Sequence, residues 1–173
     1  GKNYHEHAHE FANSGFDSSA AKGAVPQAPI VFSKVPESVI APGVAVGIDA
    51  DVSTAIDYEA ELAVIIGKGG RHISEDAADD HIAGYSILND GTVTDWANHT
   101  SRNVTPGKNF DCCGAFGPWM VTKDEIDDAQ NLTILHRVNG AEIQNGSTAD
   151  MIFSIARIIA YVSTFTGLEP GDT

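Results

Sequence analysis

Hydrophobic and polar residues alternate most regularly between Ile56 and Ile66. Ile56, Tyr58, Ala60, Leu62, Val64 and Ile66 fall on one face of an extended strand, and Asp57, Glu59 and Glu61 fall on the other. The apolar face reads as core. At a rise of ~3.3 Å per residue, same-face neighbours stand about 6.6 Å apart. Two carboxylates about 6 Å apart repel by roughly 2–3 kcal/mol at an effective dielectric of ~20. Three acids in a row therefore call for a raised pKa, a Lys or Arg partner, or a divalent cation, unless the strand is an edge strand whose acids face water.

The rest of the chain patterns around this stretch. Ile30–Lys34 reads as a short strand stopped by Pro36, and Val44–Ile48 alternates weakly, as another strand would. Ser74 reads as an N-cap, with Glu75 and Asp76 in the first turn of a helix that runs to about Ile82. Tyr85–Asp90 is a strand that delivers Asp90 at its end. A short helix is expected within Gly91–Arg102, and Thr105–Asp111, with Lys108, is expected to be a loop. Thr122-Lys123-Asp124-Glu125 has the capping-box pattern. Leu132–Val138 alternates into Asn139-Gly140, a type I′ hairpin signal, and the return strand holds Glu142 and Gln144. Met151, Ile152, Ile155, Ile158, Ile159 and Val162 recur at helical spacing, with Gly167 suited to the C′ position. Near the start, His5, His7 and His9 alternate as metal ligands on a strand would, whereas on a helix His7 and Glu10 are i and i+3 and meet on one face. Asn13–Pro29, rich in Ser, Ala and Gly, is expected to be a mobile loop and a lid. Several strands with few, irregularly placed helices predict an α+β fold with a mainly β core.

Charge narrows the partners. The 173 residues hold 10 Lys and Arg against 24 Asp and Glu, a formal net charge of −14. That argues against nucleic acid or an anionic membrane as partner, while a bound cation would still admit an anionic substrate. There is no run of 18 apolar residues. The two cysteines, Cys112 and Cys113, are adjacent, a poor arrangement for a structural bridge, so a reducing, cytoplasmic compartment is expected. The length suits a single domain over 1–173.

Taken in order, Asn3-Tyr4 with His7 and Glu10, Asp57-Tyr58-Glu59-Ala60-Glu61-Leu62, Ala83-Gly84-Tyr85 with Asn89-Asp90, Gly107-Lys108-Asn109-Phe110-Asp111, Gly117-Pro118-Trp119, Val138-Asn139-Gly140, Gln144, Met151-Ile152-Phe153 and Leu168-Glu169-Pro170-Gly171-Asp172 resemble the fumarylacetoacetate hydrolase family. The resemblance implies a mixed β-roll catalytic domain, usually in a homodimer. It implies Mg²⁺ (or Mn²⁺ or Ca²⁺) held by Glu59, Glu61 and Asp90, a donor set that suits a hard cation; Asp57 is left to orient that shell. It further implies a small anionic 2-oxo acid or 1,3-diketo acid as substrate. In this scheme Glu10 orients His7, and His7 takes a proton from water; Lys108 stabilises the leaving enolate. Tyr4, Lys108 and Gln144 would contact substrate.

This sequence departs from the family pattern in two respects. Where many members carry an Arg-Asp-x-Gln segment after the metal-binding Asp, this chain has Thr94 and Ala97 at the Arg and Gln positions. It also stops at Thr173, before the family's usual C-terminal strand and Thr-Gly-Thr-Pro loop, and lacks a strand usually found before Asn3, so an incomplete domain is expected. Three functions stay open: a metal-dependent C–C hydrolase, an isomerase or decarboxylase of a 2-hydroxy-dienoate from aromatic catabolism, and a non-catalytic acidic metal-binding module.

Overall fold

The computed structural model describes residues 3–5, 25–48, 50–97, 99 and 103–173. Its strands are β1 (Val39–Ile40), β2 (Ile56–Asp57), β3 (Ala60–Ile66), β4 (Ile82–Asn89), β5 (Thr92–Val93), β6 (Gly114–Phe116), β7 (Val121–Thr122), β8 (Thr133–Val138) and β9 (Ala141–Ser147). The main sheet has the order β1-β6-β4-β3, with β7 also paired to β4; β1 and β6 are parallel and the other pairs antiparallel. β2 pairs with β5, and β8 with β9. This is the α+β, mainly β architecture the patterning predicts.

The C-terminal helix, Ile155–Phe165, starts where the Ser154 hydroxyl oxygen accepts the Arg157 N–H at 3.1 Å. Its Ile155 and Ile159 pack with Ile66, Ile73, Ala78, Tyr85, Ala129 and Leu168 in the core, and Leu62, Val64 and Met151 flank them. The core thus lies on the face of β3 and β4 that the alternating Leu62, Val64 and Ile66 supply. Met151 and Ile152 precede the helix, and Gly167 has no left-handed conformation; extended Thr166 ends the helix with its N–H on the Val162 carbonyl at 3.2 Å. The hairpin turn matches expectation: Asn139 and Gly140 both take positive φ, 51° and 83°, as a type I′ turn requires.

The central acidic strand is broken. Ile56 and Tyr58, assigned to the core face by alternation, are 47% and 44% exposed. The cause lies in Asn89: its Oδ1 accepts the Glu59 N–H at 3.2 Å, and the Glu59 carbonyl accepts the Asp90 N–H at 2.9 Å. These bonds turn the chain at Tyr58-Glu59, so that β3 follows β4 while β2 leaves to pair with β5. Ile30–Lys34 is not a strand either. The Asn109 side chain donates to the Ser33 carbonyl at 2.8 Å and, just past the segment, accepts the Val35 N–H at 2.6 Å. Val44–Ile48 is irregular, with Val44 and Val46 exposed. Glu75–His81 is a 3₁₀ helix, with no side-chain cap from Ser74. In the Thr122–Glu125 pattern the Thr122 hydroxyl donates to Glu125 Oε1 at 3.1 Å, and neither side chain caps the backbone of the short 3₁₀ turn. Only Thr94–Ala97 is helical within 91–97, and Thr105–Lys108 is a helical turn, not a loop. Among the described residues no helix is long and apolar enough to cross a membrane.

Candidate active site

Glu59 sits at the strand break and Asp90 just past the end of β4, so the Asn89 clasp that interrupts the strand also brings the two acids together. Lys108 closes the group from the helical turn 105–108. Its Nζ is 2.7 Å from Glu59 Oε2 and 2.7 Å from Asp90 Oδ2. Lys108 is 4% exposed and Asp90 5%, so these are ion pairs in a low-dielectric setting, where a lost partner leaves a buried charge uncompensated. Burial pulls the Lys108 pKa down, yet the attraction and hydrogen bonds of Glu59 and Asp90 outweigh it and hold the ammonium above its ordinary value. The Thr92 hydroxyl lies 3.0 Å from both Glu59 Oε1 and the Asp90 carbonyl. Glu61 feels the same cluster: burial first, then Glu59 and Asp90, raise its pKa, against the pull of Lys108.

A cleft of about 440 Å³ opens beside these acids, lined by Tyr4, Tyr58, Glu59, Glu61, His136 and Gln144 among others. Tyr4 reaches it because Asn3 is clamped to the residues before the C-terminal helix. Asn3 Nδ2 donates to the Phe153 carbonyl at 3.0 Å, its Oδ1 accepts the Phe153 N–H at 2.9 Å, and Tyr4 bridges to Met151. The Tyr4 hydroxyl is buried without a hydrogen-bond partner, and burial, then Glu61, push its pKa up to about 12. It stays protonated, as a donor. Gln144 arrives on β9, and His136 on β8 stacks edge-on against Tyr58 with ring centroids 4.8 Å apart. Asp57 also lines the cleft, but it is exposed and its Oδ1 accepts the Tyr58 N–H at 2.9 Å.

Of the residues singled out from sequence, the fold therefore gathers Glu59, Glu61, Asp90 and Lys108 into one charged cluster, with Tyr4 and Gln144 across the cleft; His7 and Glu10 lie outside the described residues. Sequence reasoning missed Lys34, Thr92 and His136. Lys34 looked like the end of a strand, Thr92 is an ordinary small polar residue, and His136 was one alternating position among several. No local signal sets them apart, because what matters is which strand lies next to which.

Among the described residues no group of three or more His, Cys, Asp or Glu side chains is arranged to hold a metal ion; the Lys108 ammonium stands between Glu59 and Asp90. The chemistry of the donor set nonetheless fits a hard ion. Three carboxylates share the cluster, and Asp90 Oδ1, although 3.0 Å from Lys34 Nζ, is buried without a hydrogen bond. Burial also disfavours the charge on Glu61. An added dication would relieve both.

The family model described as fumarylacetoacetate (FAA) hydrolase C-terminal matches residues 1–173, and the chain belongs to the fumarylacetoacetate hydrolase family. A Burkholderia cenocepacia protein that carries only a provisional hydrolase name is 38% identical over 172 residues, 99% of this chain and 57% of the relative. The structure is similar to that of a fumarylacetoacetate hydrolase from Exiguobacterium antarcticum (TM-score 0.81, 36% identity, 99% of this chain and 57% of that one). It is equally similar to a 5-carboxymethyl-2-hydroxymuconate delta-isomerase from Mycobacterium smegmatis (TM-score 0.81, 28% identity, 99% of this chain and 62% of that one). The chain thus spans a little over half the length of these relatives.

Proposed function

We propose that this chain is the catalytic part of a divalent-metal-dependent hydrolase that cleaves a C–C bond in a 2-oxo or 1,3-diketo acid. The observation that carries the reading is the buried Lys108 ammonium, ion-paired to Glu59 and Asp90 beside a cleft that an unpaired Tyr4 hydroxyl enters. Mg²⁺ (or Mn²⁺ or Ca²⁺), when bound, would take Glu59, Glu61 and Asp90 as ligands and supply Lewis-acid polarisation of a substrate carbonyl. The chain's own groups do the rest. Tyr4 donates a hydrogen bond to a substrate oxygen, and Gln144 fixes the substrate from β9. Lys108, held protonated, meets the substrate carboxylate or the enolate oxygen as negative charge builds there. His7, oriented by Glu10, removes a proton from water; the hydroxide adds to the distal carbonyl, the C–C bond breaks, and the leaving fragment departs as an enolate. A homodimer working in the cytoplasm completes this reading.

A second reading, isomerisation or decarboxylation of a 2-hydroxy-dienoate, is favoured by the equal structural similarity to the Mycobacterium smegmatis isomerase. It uses enolate stabilisation without hydrolytic water. Acylpyruvates and hydroxymuconate-type acids, screened with Mg²⁺, Mn²⁺ or EDTA, separate the two. Metal-dependent pyruvate release that collapses in His7→Ala supports the hydrolase. Turnover of a dienoate that survives His7→Ala supports the isomerase or decarboxylase. A protein that turns over neither, and does not bind oxalate in a metal-dependent way, is the non-catalytic binding module instead.

A further inference from the structure

We propose that Lys34 is a positioning residue of this site: it locks the Asp90 carboxylate and the Lys108 turn into their mutual geometry from an irregular strap over residues 32–38. Its Nζ lies 3.0 Å from Asp90 Oδ1, donates to the Lys108 main-chain carbonyl at 2.6 Å and stands 3.4 Å from Cys113 Sγ. Asp90 is therefore bracketed, with Lys34 at one oxygen and Lys108 at the other. Neither carboxylate oxygen can turn away without abandoning an ammonium in a site where water does not replace it. The bond to the Lys108 carbonyl acts on the second member of the pair. It fixes the end of the 105–108 turn and so sets where the Lys108 side chain starts.

The strap is built for this task. The Asn109 side chain holds Ser33 and Val35 at their backbone, and the Cys112 N–H donates to the Glu37 carbonyl at 3.1 Å. The Phe32 ring lies over Lys108 Nζ at 5.5 Å from its centroid. β1 then continues parallel to β6. The lysine stem passes through a slot that only glycine leaves open: a Cβ on Gly114 would meet Lys34 Cε at 2.6 Å and the Asn89 carbonyl oxygen at 3.1 Å. A solvated surface lysine needs no such slot. The polar partners of the Lys34 ammonium are the Asp90 carboxylate, the Lys108 carbonyl and the Cys113 sulfur, so it acts through Asp90 and Lys108.

The test uses the lysine ammonium signals of ¹⁵N-lysine-labelled protein at low temperature, where buried, bonded ammonium protons exchange slowly enough to be seen. Protected signals for both Lys34 and Lys108, with proton contacts from Lys34 Nζ to Cys113 Cβ, support the placement in the unmodified protein. A freely exchanging Lys34 overturns it without any variant. In Lys34→Met the Lys108 signal should shift or be lost. Gly114→Ala, which keeps the lysine and its charge, should do the same. A Lys108 signal unchanged in a folded Lys34→Met overturns the proposal. Only the kinetic arm rests on the function proposed above. There kcat on a 2-oxo acid should fall about 10²-fold, the scale of an ångström-level misplacement, while KM stays within about threefold. A fall confined to KM would make Lys34 a substrate-binding group and refute the positioning role. Absence of turnover in the unmodified protein would refute the functional reading alone, because the ammonium signals still judge Lys34.

Discussion

Replacing Lys108 with Met is the sharpest perturbation the site allows. Methionine keeps an apolar stem of similar length and removes the charge. Lys108 Nζ is 2.7 Å from Glu59 Oε2 and from Asp90 Oδ2, so those two oxygens stand at most twice that apart, about 5.4 Å. Without the ammonium they repel by about 3 kcal/mol at an effective dielectric of ~20. Breaking a buried pair by removing one partner typically costs 3–5 kcal/mol. For a chain of this size, at 2–4 °C per kcal/mol, the melting temperature should fall by roughly 6–20 °C. The assay is thermal and urea unfolding in EDTA. Because Lys108 is held above its ordinary pKa, its contribution is fully present below the unfolded-chain value of ~10.4 and is lost as pH rises through the higher folded value. No part of any difference between pH 6 and pH 9 should therefore come from titration of Lys108 itself. Adding Glu59→Gln to Lys108→Met removes one of the facing charges and should restore most of the loss. Adding Mg²⁺ should raise the single variant's melting temperature more than the unmodified protein's, since the dication then meets no competing ammonium. A loss under about 1 kcal/mol, or no recovery from Glu59→Gln, would show that Lys108 does not neutralise these acids.

Three further outcomes follow from other residues. Glu61→Gln should stabilise the metal-free protein at pH 7: burial and neighbouring acids raise the Glu61 pKa, so its ionised form carries a cost that appears as pH rises through the unfolded carboxylate value of ~4.3. Melting curves of the two proteins should converge near pH 4, and a gap that widens there would contradict the sign. Tyr85→Phe should blunt alkaline unfolding: burial and then Asp79 raise the Tyr85 pKa, so the unfolded chain ionises first and stability is lost above about pH 10. Identical alkaline midpoints for both proteins would refute it. Ile159→Ala, in the core beneath β3 and β4, should cost roughly 2–5 kcal/mol in urea unfolding; a cost under 1 kcal/mol would mean that the helix packs elsewhere.

What was legible in the sequence was what depends on near neighbours. The Asn139-Gly140 turn was readable because its backbone needs positive φ at both residues. The stripe Ile155–Val162 was readable because one helix face buries it. Glu59, Glu61 and Asp90 were marked by charge density and by family resemblance, but their meeting depends on a side chain that pattern reading passes over. Alternation carried Ile56 and Tyr58 into the core because it has no term for Asn89, whose amide oxygen takes the Glu59 N–H and ends the ladder there. The same blindness, to where a backbone group finds its partner, made Ile30–Lys34 a strand when Asn109 takes the Ser33 carbonyl and the neighbouring Val35 N–H. It also made Lys108 a loop lysine when the fold buries it against two acids. In each case polar side chains distant in sequence replace a sheet partner or a water shell. The places where pattern reading failed are therefore the places where the chain gave up regular hydrogen bonding to gather charge. Here the break at Tyr58-Glu59 bonds Glu59 to Asn89 and Asp90, and the two acids so joined are the ones the Lys108 ammonium meets at 2.7 Å.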